Sequence, residues 1–79
     1  MSIQVRFFAS LRERLGRGAG AIEVAGVVTA ADVWTRAAGG EPMPANTLIA
    51  VNMEYAEPGR QVKDGDEVAF FPPVTGGQP

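Results

Sequence analysis

Gly76 and Gly77 close a Phe70-Phe71-Pro72-Pro73-Val74-Thr75 run near the end of the chain, and this is where residue types and spacing point to chemistry. Two adjacent prolines favour polyproline II, an extended form that holds whatever follows away from the body of the domain. Val74 and Thr75 are β-branched and also prefer extended backbone. Gly76 and Gly77 have no side chains, so this end fits a passage too narrow for other residues. A stiff stalk with a bare tip suits a carboxylate presented to another protein's active site. Two glycines alone would suggest only a frayed terminus. Their distance from Phe-Phe-Pro-Pro favours the presented tail.

Other sources of chemistry are scarce. The chain has no cysteine and no histidine, which removes disulfides, thiolate nucleophiles, the commonest metal ligand and the usual general base. Gly16, Gly18 and Gly20 lack the Lys-Ser/Thr ending of a phosphate loop and are expected to form a plain surface turn. Asp64, Asp66 and Glu67 crowd one turn without further ligands, which predicts a solvated face rather than a metal site. Seven basic and nine acidic residues leave a net charge of −2, and the basic residues never cluster into a run. Neither nucleic acid nor an anionic membrane finds an electrostatic footprint. The opening Met1-Ser2-Ile3-Gln4-Val5-Arg6 goes straight into a strand pattern, with no apolar run of the length a secretion signal or membrane span needs. A cytoplasmic location is expected.

The elements that must hold the tail follow from periodicity. A chain of 79 residues with 46% hydrophobic content fits one small domain that draws most of its large apolar side chains into the core. Residues 3–8 alternate apolar and polar as a strand does. Ser10 is placed to cap a short helical turn with Leu11 and Leu15 stacked at i,i+4 and Gly16 as its stop. A second strand is expected over residues 21–24, with Ile22 and Val24 on one face. Thr29 is the N-cap of the clearest helix, with Asp32 three residues on in a capping-box arrangement. Ala30, Val33, Trp34 and Ala37 then form one apolar stripe, ended by Gly39-Gly40 and barred from resuming by Pro42 and Pro44. Strands are expected over residues 47–52, briefly through Tyr55, and over residues 67–71 after a Lys63-Asp64-Gly65-Asp66 turn. Pro72 and Pro73 end the last ladder because proline has no N–H to donate. This order predicts an α+β domain over residues 1–73, a four- to five-stranded mixed sheet with one main helix on one face. Residues 74–79 form the extended tail.

The contiguous stretch 64–77, Asp-Gly-Asp-Glu-Val-Ala-Phe-Phe-Pro-Pro-Val-Thr-Gly-Gly, resembles the C-terminal signature of molybdopterin synthase small subunits, sulfur carriers of the ubiquitin-like, β-grasp superfamily. Val5-Arg6-Phe7-Phe8-Ala9 resembles the family's first strand, and element order matches over nearly the whole chain. The resemblance implies a protein that is not catalytic alone. An E1-like adenylyltransferase uses ATP to adenylate the terminal glycine carboxylate, the acyl-adenylate becomes a thiocarboxylate, and the tail enters the large synthase subunit to give sulfur to a pyranopterin precursor. Carried over by position, Gly77 bears the sulfur and Gly76 is the slender residue behind it. No cofactor is permanently bound. Family members end at the second glycine, whereas Gln78 and Pro79 follow here, so the resemblance further implies a tail-processing protease. Other readings stay open at this point: a sulfur carrier for thiamine or cysteine synthesis, a lysine-conjugated modifier, or an interaction domain with a blocked tail.

Strand parity adds a candidate docking face. Side chains alternate across a strand, so Ile3, Val5 and Phe7 share a face with the core, as do Val68 and Phe70. Gln4, Arg6 and Phe8 then share the open face with Ala69 and Phe71. Aromatics beside polar groups on an uncovered sheet suggest protein binding, with Tyr55 as a third member and Pro72, Pro73, Val74 and Thr75 continuing the contact along the tail. Trp34, on the helix stripe, belongs to the core.

Overall fold

The computed structural model describes residues 1–26 and 28–73. The tail positions Val74, Thr75, Gly76 and Gly77 lie outside the described residues, as do Gln78 and Pro79. Among the described residues nine elements follow one another: β1 (Ser2–Phe7), α1 (Ala9–Leu15), β2 (Ala19–Glu23), β3 (Val28–Thr29), α2 (Ala30–Ala37), β4 (Leu48–Val51), β5 (Glu54–Ala56), β6 (Gln61–Val62) and β7 (Glu67–Phe71). Five strands form one mixed sheet in the order β2-β1-β7-β4-β5. β1 and β7 run parallel at its centre, and the other pairs are antiparallel.

The helix α2 forms where the expected signals lie. Asp32 N–H donates to Thr29 Oγ1 at 3.2 Å, and Thr29 N–H donates to Asp32 Oδ2 at 2.9 Å, so each side-chain oxygen satisfies the other residue's N–H, which would be orphaned at the helix start. Its stripe of Ala30, Val33, Trp34 and Ala37 is buried against the same sheet face that carries Ile3, Val5, Phe7, Val68 and Phe70. Trp34 meets Phe7 and Phe70 edge-on, at centroid distances of 5.6 and 5.0 Å. Its indole N–H donates to the Glu41 carbonyl at 2.7 Å, so the one polar atom taken inside is satisfied.

The structure departs from the sequence expectations in four places. The first helix has Phe8, not Ser10, as its N-cap, and no side chain caps it. Phe8 N–H is held by the Phe70 carbonyl at 3.1 Å and Phe8 C=O accepts from Leu11 N–H, so pairing with β7 sets where the helix starts and overrides the capping preference of Ser10. Gly16 does end it, in the left-handed conformation at φ 74°. The supposed glycine turn is shorter than expected, because Ala19 and Gly20 already pair with Arg6 and Val5 in β2. A two-stranded ladder, β3 with β6, forms apart from the main sheet, and its Val28 and Val62 join the core. Finally, Asp66 does not belong to a solvated face. It is only 8% exposed, accepting from Asn52 Nδ2 at 3.0 Å and from Lys63 N–H at 2.9 Å. Asp64, which is exposed, accepts from Ser2 N–H at 2.7 Å.

Candidate functional site

Among the described residues nothing covers the sheet face opposite α2, and register determines what it shows. Arg6 on β1 lies beside Ala69 on β7; Ala69 lies beside Ala50 on β4, and Ala50 beside Tyr55 on β5. Two alanines in the middle lower the floor. Larger side chains then rise around it, and the result is a groove of about 280 Å³ bordered by Phe8, Phe71, Met53, Tyr55, Arg6 and Glu67. Phe8 and Phe71 stack nearly parallel, with centroids 4.6 Å apart. Phe8 is 36% exposed, Tyr55 78% and Met53 90%, the large hydrophobics that the domain leaves in water. Arg6 Nε lies 3.3 Å from Glu67 Oε2 with both side chains open to solvent, a pair worth little to stability but one that sets a charged border beside an apolar floor.

β7 connects this face to the tail. Phe70 points into the core and Phe71 onto the open face, and the half-buried Pro72 and exposed Pro73 follow at once. The structure thus brings together Phe8, Phe71, Tyr55 and the prolines at the root of the tail. Val74, Thr75, Gly76 and Gly77 lie outside the described residues.

Met53 is a groove residue that parity counting missed, since it sits in the loop between two strands. Asn52 and Met53 have φ of 51° and 71°, the left-handed pair that a two-residue hairpin of the I′ type requires. Asn52 suits such a position; an unbranched thioether normally gives way to glycine there. The available signal was an Asn-x dipeptide between two apolar runs. Asn52 is tied down from three sides: its N–H donates to the Glu67 carbonyl at 2.8 Å, its Oδ1 accepts from Glu67 N–H at 3.0 Å and its Nδ2 donates to Asp66. The hairpin that carries Met53 and Tyr55 is therefore fastened to the start of β7.

Chemically, this face offers apolar and aromatic surface beside an arginine–glutamate pair, groups suited to binding. Among the described residues there is no group of three or more acidic, histidine or cysteine side chains able to hold a metal. Nor is any helix long and apolar enough to cross a membrane.

A mixed five-stranded sheet with α2 across one face and an uncovered aromatic patch on the other defines a ubiquitin-like β-grasp domain. The ThiS family matches residues 5–77, and the chain belongs to that family. It is 39% identical to the molybdopterin synthase sulfur carrier subunit of Escherichia coli (strain K12), over 95% of this chain and 99% of that one. It is 33% identical to the subunit of the same name in Homo sapiens, over 95% and 93% of the two chains. Among solved structures, SAMP1 from Haloferax volcanii superposes with a TM-score of 0.82 at 28% identity, covering 98% of this chain and 100% of that one.

Proposed function

We propose that this protein is the sulfur carrier subunit of molybdopterin synthase, acting in the cytoplasm. The observation that carries the reading is the path of β7. It runs through the centre of the sheet, places Phe71 on the uncovered face against Phe8, and leads directly into the Pro72-Pro73 stalk. A docking face at the root of a narrow tail is what a carrier needs when its partners hold the catalytic groups. Similarity over nearly full length to molybdopterin synthase sulfur carrier subunits narrows the class to that pathway.

In this reading Gly77, freed of Gln78 and Pro79 by a protease, is the acceptor. One of its carboxylate oxygens attacks the α-phosphate of ATP on an E1-like adenylyltransferase and pyrophosphate leaves. A sulfur nucleophile then displaces AMP, giving the thiocarboxylate that the large synthase subunit uses to sulfurate the pterin precursor. Gly76 keeps the entering segment slender. ATP is a substrate of the activating enzyme, not a resident group of this chain.

The test compares a chain ending at Gly77 with the chain that bears Gln78-Pro79. Pyrophosphate exchange with the activating enzyme, followed by sulfur transfer with the large subunit present, is expected from the first form and absent from the second. A peptide carbonyl carries no charge and is a poor nucleophile toward phosphorus, and the main-chain carboxylate of the longer form belongs to Pro79. Robust exchange by the verified longer chain would remove the need for processing. Failure of the Gly77-ended form with the organism's own partners would overturn the carrier assignment, and isolation of a lysine conjugate through Gly77 would favour a modifier.

A further inference from the structure

Charge is spread unevenly over this acidic chain. Four of its seven basic residues, Arg6, Arg12, Arg14 and Arg17, fall within the first eighteen positions, where Glu13 is the one acid. The basic residues thus form no run yet do gather on β1, α1 and the turn that follows α1. Three of the four are engaged. Arg6 pairs with Glu67 at 3.3 Å, Arg14 Nε lies 3.5 Å from Glu41, and Arg17 donates to the Ala37 carbonyl at 3.2 Å. The side chain of Arg12 makes no ion pair or hydrogen bond among the described residues.

Its position is nonetheless specific. Gly18 is pinned to β1, its carbonyl accepting from Phe7 N–H at 2.9 Å. A Cβ at Gly18 would fall 2.9 Å from Arg12 Nε and 3.2 Å from its Cδ. The arginine therefore lies against bare backbone, in space that a side chain at position 18 would take. Arg6, Phe8, Arg12, Gly18 and Ala19 border a cleft of about 400 Å³. It shares Arg6 and Phe8 with the aromatic groove, so the two recesses adjoin at the Phe8–Phe71 stack, at the root of the tail.

We propose that this cleft receives a carboxylate side chain of the large synthase subunit, held by Arg12, and that this contact sets the angle at which the tail enters. The proposal rests on the reading of Phe8 and Phe71 as docking residues. The guanidinium fork matches a carboxylate in a two-point contact. A free anion would find little here, because among the residues bordering the cleft Arg12 is the one unengaged guanidinium and Glu67 already offsets Arg6. A carboxylate carried on a docked surface arrives at high effective concentration and needs no further donors.

The test is a titration of the Gly77-ended chain with the large subunit at several salt concentrations. Arg12→Gln should weaken binding by on the order of tenfold at low salt and flatten the salt dependence. Gly18→Ala keeps the charge but displaces the guanidinium, and should weaken binding in the same direction. Phe71→Ala should weaken binding with the salt slope unchanged. Circular dichroism melts confirm that each variant is folded. Wild-type affinity and salt slope for Arg12→Gln, with Phe71→Ala still impaired, would overturn the cleft and leave the docking face standing. Indifference to both substitutions would overturn the docking face and the cleft together. A shift of the Arg12 Nε–H resonance by inorganic phosphate at concentrations that displace the partner would overturn the carboxylate assignment in favour of a free anion.

Discussion

Trp34 shows how much one side chain carries in a domain this small. Its ring fills the space between α2 and the sheet, edge-on to Phe7 and Phe70, and its N–H reaches Glu41 beyond the helix. Trp34→Ala should destabilise the domain by roughly 3–5 kcal/mol, a large share of the roughly 5–15 kcal/mol that such folds possess. A urea titration measures this, and a loss below about 1 kcal/mol would mean that the ring is not the centre of the core. Trp34 was legible in the sequence because its partners on the stripe stand three and four residues away. Asp66 was not, since its ligand Asn52 is fourteen residues distant and only the sheet brings them together. Arg12 and Gly18 were unreadable for the same reason: a glycine that makes room for an arginine looks like any other glycine in a turn.

At the scale of elements, strands and helices of three residues or more were legible and the two-residue strands were not. β7 and α2 lie where alternation and capping predict, whereas β3 and β6 have two residues each, too few to show any period. The β4–β5 hairpin holds a conflict that the sequence hid. Met53 adopts φ 71° and is 90% exposed, so it accepts left-handed strain without gaining burial within the chain. The αL conformation costs an L-residue roughly 1–2 kcal/mol, and glycine's extra chain entropy returns roughly 0.5–1 kcal/mol of that. Met53→Gly should therefore stabilise the isolated domain by about 0.5–1 kcal/mol, read as a higher urea midpoint with unchanged slope. It should also weaken docking, because it removes apolar surface from the groove. Opposite signs for stability and affinity would mark Met53 as retained for binding. A lower midpoint would show that the side chain stabilises the hairpin instead.

The whole molecule has a simple acid–base character, and its consequences can be worked out in sign. No histidine is present, so no side chain has an ordinary pKa near neutrality. Two carboxyls are held below their usual range. Asp66 is lowered first by the hydrogen bond from the Asn52 side chain and next by Lys63 N–H, against the opposing effect of burial. Asp32 is lowered by the Thr29 backbone N–H and then by the Thr29 side chain. A carboxyl whose folded value is depressed stabilises the fold above its unfolded value, about 3.9 for Asp. That contribution is lost as pH falls from there through the folded value. Stability measured by urea titration should thus be level between about pH 5 and pH 7 and decline below about pH 4. Asp66→Asn should lower the plateau, since Asn52 and Lys63 N–H lose a charged acceptor, and should make the acid decline shallower because one linked proton is gone. An acid decline as steep as that of the wild type would show that Asp66 is not a source of the linkage. The same network fastens the Met53–Tyr55 hairpin to the start of β7. Asp66→Asn should therefore weaken docking at neutral pH as well, and a variant with a lowered plateau but unchanged partner affinity would separate the stability of the sheet from the shape of its open face.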